Sequence, residues 1–401
     1  MIVQNIKTSV KRLLYNKLYS IINIGGLSLS FAIAILILLY VHNELTTDKY
    51  HSNLDNLYRL TENKDKHADT PAKLGEYIKN KFPEIKYFTR YKEFNQVIQY
   101  DGNKSIKMDH IAYMDSSCLD IFTIHIVQSN QSKLLRTKQS ALISETTAKK
   151  LFGDADPIGK TIRFENKHDF VIEGVFEDYP SNSSLQHNII ASFPSIKFFW
   201  GWPDYDILKE EGNWSVSTYV MLNDGVNKAN LDERLQKDLL ERFGRKTEFH
   251  LQEYSSIYFD NEISDNIRHG KTQIVYLFLS IAIIIIIIAM INYINLSTSI
   301  SAKRALSIGI YKTLGAQRKN LILQFMIETI MICLFSLILG YILAELFIPT
   351  FNNLLQYKLQ VKSFYEFPFS IISIAIAILI GLISGVYPSM YLTRFSPLEI
   401  L

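Results

Sequence analysis

The sequence predicts an α-helical membrane protein with four transmembrane helices and a large α+β extracytoplasmic domain between the first and second spans. Three observations carry this. Residues 19–42, 273–298, 320–348 and 368–392 are apolar runs that each reach the roughly 20 residues a helix needs to cross a bilayer core. Lys and Arg gather on one side of these runs. Residues 43–272 mix both charge signs, as a water-exposed folded domain does. The whole-chain balance of 42 Lys and Arg against 39 Asp and Glu hides this division and gives no reason to expect a nucleic-acid partner.

In chain order, residues 1–18 place Ile2, Val3, Ile6, Val10, Leu13 and Leu14 on one helical arc, with Lys7, Lys11 and Arg12 largely on the remainder. This reads as an amphipathic helix along the cytoplasmic membrane face, or as a short basic tail that orients insertion. The run at 19–42 is too long for a signal-peptide core and continues into His42, Asn43 and Glu44 without a small-x-small cleavage site, so it is expected to stay as an anchor. Lys7, Lys11, Arg12 and Lys17 precede it. Lys303, Arg304, Lys312, Arg318 and Lys319 lie in residues 299–319, which contain no acidic residue. The excess of positive charge puts both flanks in the cytoplasm. Residues 43–272 and the short segment 349–367 then fall outside, and the tail at 393–401 falls inside.

Within 43–272, a strand-like run at 57–60 precedes a helix with Thr70 as N-cap, Pro71 in its first turn, and Leu74, Tyr77, Ile78 and Phe82 on one face before Pro83. Residues 216–222 alternate like a strand. A helix from about Asn227 then aligns Leu231, Leu235, Leu239 and Phe243, and residues 248–254 read as a further strand. These two halves bracket residues 95–213. The simplest architecture is a subdomain near the membrane, assembled from both flanks and carrying 95–213 as an inserted second subdomain.

The insert contains Gly153-Asp-Ala-Asp-Pro-Ile-Gly159-Lys160-Thr161, which resembles a phosphate-binding loop. It is one residue too long, contains a Pro, and runs into β-prone Ile162-Arg163-Phe164 instead of a helix. The structural reading is a helix begun at Ser144 and stopped at Gly153, followed by a strand pair. No cofactor site is expected on this chain. The nine histidines show no HExxH or CxxC-type spacing that would assemble a metal site, and Cys118 and Cys333 fall in different environments, so no disulfide is expected between them.

Eight phrases resemble, in order, those of MacB/FtsX-type ABC transporter permeases. They are VHNELTTDKYHSNLDNLYRL (41–60), FPEIKYFTR (82–90), MDSSCLDIF (114–122), LISETTAKKLFGDADPIGKTI (142–162), GVFEDYPSNSSLQ (174–186), INYINLS (291–297), KRALSIGIYKTLGAQRKNLILQFMIE (303–328) and YPSMYLTRFSPLEIL (387–401). The resemblance covers essentially the whole chain. It implies a permease, not itself an enzyme, that works with a separate ATPase carrying ATP and Mg²⁺ and relays ATP-driven closure to the outer domain. It further implies a second permease subunit, identical or different, and leaves room for a periplasmic adaptor or outer-membrane channel. The inner membrane is the expected location.

By the same resemblance, Lys303, Arg304, Ile308, Gly309, Ile310, Lys312, Leu314, Gly315 and Ala316 form the surface that docks on the ATPase, as a short helix and turn. The family usually has Glu where this chain has Ser307 and Arg where it has Tyr311, so the charge pair is gone while Gly309, Lys312, Gly315 and Ala316 match. Either the partner surface differs, or this protomer couples weakly beside a better-matched second permease. In the spans, Gly26, Ser30 and Ala34 are spaced by four and Gly381 and Gly385 form GxxxG. These are smooth faces for packing within the chain or for a dimer seam. Asn292, Asn295, Glu328 and Glu345 lie in or near the membrane without the recurring partner a proton relay needs.

Export or extraction of peptides, lipoproteins or amphipathic compounds is the leading expectation. An FtsX-like regulatory subunit for a cell-envelope enzyme is the alternative, disfavoured by the size of the outer domain. A membrane-anchored enzyme or receptor is disfavoured by three further spans and by the lack of a nucleophile, base and orienter set.

Overall fold

A computed structural model of the chain describes residues 15, 17–62, 66–102, 104–199, 208, 214–244, 248–313, 315–355, 357, 359 and 369–392, with the side chains of 300–309, 311–312 and 391–392 outside the description. The amphipathic helix expected over 1–18 and the segments 349–367 and 393–401 fall mainly outside it. In chain order the elements are α1 (Lys17–Leu45), β1 (Leu57–Glu62), β2 (Asp69–Pro71), α2 (Leu74–Lys81), β3 (Ile85–Tyr100), β4 (Lys104–Met114), α3 (Cys118–Ile121), β5 (Ile126–Ser129), β6 (Ser140–Ser144), α4 (Glu145–Phe152), β7 (Thr161–Phe164), β8 (His168–Phe176), β9 (Ile189–Ser192), β10 (Trp214–Leu222), α5 (Lys228–Phe243), β11 (Phe249–Glu253), α6 (Tyr254–Ile257), α7 (Thr272–Thr313), α8 (Arg318–Leu355) and α9 (Phe369–Leu392). They divide into an outer unit, Thr46–Lys271, and a helical unit that holds α1 and everything from Thr272 onward.

The outer unit is built on one sheet in the order β11-β1-β10-β3-β4-β9-β6-β8-β5, with β2 beside β10. Strand β7 pairs with both β8 and β3, at Ile98↔Phe164 and Gln99↔Arg163. That double pairing closes a ring through β3, β4, β9, β6, β8 and β7. Alternate residues face its interior, so Ile98, Ile111, Ile143, Ile162, Phe164, Phe170, Ile172 and Ile189 are removed from water and fill the ring with apolar side chains. Residues 95–213 supply most of the ring. The flanks supply a wing of β11, β1, β10 and β2, and β3 runs through both.

The wing is covered by two helices whose apolar stripes follow from their spacing. Leu74, Ile78 and Phe82 from α2 and its end meet Leu231, Leu235 and Leu239 of α5 over Leu60, Val220, Leu222 and Leu251. Asn227 caps α5, accepting from Asn230 N at 3.2 Å. Thr70 does not cap α2 but belongs to strand β2, where its hydroxyl donates to Val216 O (2.8 Å) and meets Thr218 Oγ1 (2.7 Å). A Thr-Pro pair fits the end of an edge strand as well as a helix start, and pairing with β10 decides between them. Beneath the sheet, fully buried Arg59 is held by Asp265 and by Gln252 Oε1 (2.8 Å), so the charge is matched where burial alone would be costly. Cys118 and Cys333 are buried free thiols.

Among the described residues, the helical unit contains four helices long and apolar enough to cross a membrane. Helix α7 has 42 residues, about 63 Å at 1.5 Å per residue, roughly twice the about 30 Å of a bilayer core. Residues 299–313 therefore extend the second span as continuous helix, where a short separate helix was expected. Ala302, Lys303, Arg304, Ala305 and Leu306 are strong helix formers, and no Pro or cap interrupts them.

Candidate functional site

The reversal between α7 and α8 is the first candidate. Thr313 donates its hydroxyl to Ile310 O at 2.8 Å in the last turn of α7, and Gly315 turns the chain at φ +90°, a left-handed conformation that disfavours any side chain. Ala316 packs on Leu321 and Phe325 of α8, whose first turn is bonded back to Gln317 O from Asn320 N (3.0 Å) and Leu321 N (3.3 Å). Of the predicted docking residues, Ile310 is 47% exposed, an apolar side chain left open at the tip of a helical hairpin. Lys303, Arg304, Ile308, Gly309 and Lys312 lie on α7 with side chains outside the description, and Leu314 falls outside the described residues.

The small residues of the spans are the second candidate. A Cβ added to Gly381 would stand 2.9 Å from Ile330 Cα, and one at Gly385 would stand 3.1 Å from both Met326 Sδ and Thr329 Oγ1, so this GxxxG faces α8 of the same chain. Thr329 Oγ1 donates to Phe325 O (3.0 Å) and so accepts from Tyr293 OH of α7 at 2.9 Å. A Cβ added to Gly26 would stand 3.8 Å from Asn292 Nδ2, Ser30 Oγ donates back to Gly26 O at 3.0 Å, and Ala34 is buried. These three share one stripe of α1 that is covered at only one end. Gly26 is exposed, Ser30 half-buried and Ala34 covered.

A further close seam, between α1 and α8, has no counterpart in the sequence reading. A Cβ on Gly340 would lie 2.8 Å from Phe31 Cβ, 3.2 Å from Ser28 O and 3.4 Å from Ala32 N, so α1 and α8 touch there backbone to backbone. Ser336 and Ala344, four residues to either side, are fully buried. The signal was present as small residues at every fourth position of the third span.

The loop resembling a phosphate site has no cradle. Gly153 ends α4, Gly159 N donates to Ile172 O at 2.8 Å, strand β7 follows, and Lys160 Nζ sits 4.7 Å from the centre of the Phe152 ring. Lys160→Ala is expected to leave ATP turnover of the purified complex unchanged, and a large loss with assembly intact would restore the nucleotide reading. Burial pushes the His51 and His187 imidazoles down to about 4, while the hydrogen bond to Glu93 raises the half-exposed His110. Among the described residues no group of three or more His, Cys, Asp or Glu is placed to hold a metal ion.

Residues 20–238 match the MacB-like periplasmic core domain, and residues 279–397 match the FtsX-like permease C-terminal family. The macrolide export ATP-binding/permease protein MacB of Mannheimia succiniciproducens is 27% identical over 308 residues, 75% of this chain and 44% of that protein. MacB of Aggregatibacter actinomycetemcomitans is 25% identical over 252 residues, 61% of this chain and 36% of that protein. The chain thus spans less than half the length of these relatives. A domain of a permease protein from Porphyromonas gingivalis aligns at a TM-score of 0.45 and 21% identity, covering 57% of this chain and 99% of that one. The periplasmic region of MacB from Actinobacillus actinomycetemcomitans aligns at 0.40 and 19% identity, covering 53% and 95%.

Proposed function

This chain belongs to the MacB-like periplasmic core domain family, and on that premise we propose that it is the permease subunit of an ABC transporter, relaying ATP-driven motion of a separate ATPase to its outer unit. The observation that carries the reading is α7. It runs as one helix from the end of the outer unit at Thr272 to the reversal at Gly315, where Ile310 is exposed. A helix without a break passes on displacement at its tip, where a flexible loop would absorb it. The relatives whose names join ATP binding to a permease support an ATPase partner, and ATP and Mg²⁺ belong on that partner.

Both termini lie in the cytoplasm and the outer unit outside it, in the inner membrane. The working unit pairs this chain with a second permease, and peptides, lipoproteins or amphipathic compounds are the substrates to be exported or extracted, with a periplasmic adaptor or outer-membrane channel as a further partner. The exposed apolar face of α7, including Leu277, Ile284, Ile288 and Ile291, suits lipid or that second permease. Purification in mild detergent tests the assembly, and recovery of the chain without any ATPase would overturn it. Orientation is tested separately in spheroplasts with a membrane-impermeant thiol reagent. Lys138→Cys, exposed on the outer unit, should label and Ser301→Cys should not, and labelling of Ser301→Cys would invert the topology.

A further inference from the structure

Residues 46–53 connect α1 to β1 in sequence and fold against the loop that joins β8 to β9, two strands of the ring. Asp48 N donates to Asn182 O at 2.7 Å, and Asn182 Nδ2 donates to Thr46 O (3.0 Å) and Thr46 Oγ1 (3.2 Å). Ser184 N donates to Asp48 Oδ1 at 2.8 Å, and the hydroxyls of Tyr50 and Ser183 are 2.9 Å apart. Asp48 adopts φ +62°, a left-handed backbone that Asp tolerates better than most residues. On the far side of the same segment, His51 Nδ1 accepts from Thr123 N at 3.1 Å.

The other end of the outer unit reaches the same loop. Ser184 Oγ lies 3.3 Å from Tyr254 OH, and Arg268 Nη1 lies 3.4 Å from Ser181 O, three residues before the unit ends at Lys271. These side-chain and loop bonds are additional to the strand pairings of ring and wing. They bring the two segments that adjoin the spans in sequence onto a single turn of the ring.

We propose that residues 181–184 form a latch that ties both ends of the outer unit to the ring and opens as one unit, with Asp48 as its positioning residue. Its use as a path for movement rests on the permease reading; its existence as a single unit does not. The latch gives Asp48 a distinctive environment. It is 1% exposed, its Oδ2 has no hydrogen-bond partner among the described residues, Arg268 is the cation that acts on it, and the neighbouring phenols of Tyr50, Tyr219 and Tyr254 are pushed up by burial first and by the Asp48 charge as a lesser cause.

Burial lifts the Asp48 carboxyl to about 6 from 3.8. The closed latch therefore binds a proton more tightly than the open one. That stabilisation is complete below 3.8 and is lost as pH rises through about 6. Opening should be about tenfold rarer near pH 5 than near pH 7.5.

The test is amide hydrogen exchange of the full chain in lipid nanodiscs, corrected for intrinsic chemistry, at about pH 5 and about pH 7.5. Segments 46–51, 181–185 and 265–270 should slow together by about tenfold at the lower pH, while strands β6 and β10 do not change. Asp48→Asn should abolish the pH response and keep the three segments protected at both values. Asn182→Ala should speed all three. Independent responses of the three segments in the unmodified chain, or a pH response retained by Asp48→Asn, would overturn the latch. If no ATPase is recovered with the chain, the permease reading fails while this result stands.

Discussion

Replacing Ile310 by Asp is expected, on the proposed permease reading, to uncouple the chain from the proposed ATPase. Ile310 is exposed at the end of α7, and burying it fully against a partner would contribute roughly 1.5–3 kcal/mol. An Asp at that position would place a charge without a counterpart in the contact, adding a penalty of several kcal/mol, so association should fall by at least about 100-fold. Membrane insertion and the fold of the outer unit should be unaffected, because Ile310 is an exposed side chain that contributes to no buried core. Tyr311→Arg is the control. It places Arg where the family resemblance implies one and should be tolerated where the partner presents an acidic surface. Co-purification of the ATPase and its turnover in reconstituted membranes are the measurements, and wild-type values for Ile310→Asp would remove this hairpin as the docking element.

Gly340→Leu should disrupt the helical unit itself. The new Cβ would meet Phe31 Cβ and, at 3.2 and 3.4 Å, the backbone O of Ser28 and N of Ala32. Main-chain atoms cannot swing aside as a side-chain end can, so α1 and α8 must separate. The overpacking should cost about 2–3 kcal/mol or more, with loss of the contacts around Ser336 and Ala344. The measurement is unfolding in detergent, compared with Ile338→Leu on the exposed side of the same helix. Equal midpoints for the two variants would show that the α1–α8 seam does not support the unit.

What the sequence makes legible follows from how far apart the deciding residues are. The spans are readable because length and hydropathy are local properties, and so are α5 with its Asn227 cap and the turn at Gly153. Thr70 was misplaced because its local pattern suits two structures and a partner at Val216 and Thr218 selects one. Ring closure was invisible, since it depends on β7 finding β3 across more than 60 residues. For the candidate site, Gly315 was legible as a reversal and Gly381 and Gly385 as a packing face. The helical extension of α7 was hidden by the assumption that a helix ends where the membrane does. Gly340 carries the same local signal, a small residue spaced by four from Ser336 and from Ala344.

Strand β3 is common property of ring and wing: Tyr91 and its neighbours pair with β10, and residues onward to Tyr100 pair with β4 and β7. The ring is therefore not a cassette. A recombination that exchanged residues 95–213 between related genes would join half of one parent's strand to half of another's. It would also have to preserve the aromatic and apolar filling on both sides of that junction at once. Exchange at the limits of the outer unit, Thr46 and Lys271, leaves every strand with its own partners. Inheritance of this domain should then be all or nothing, with ring and wing diverging together as one hereditary block.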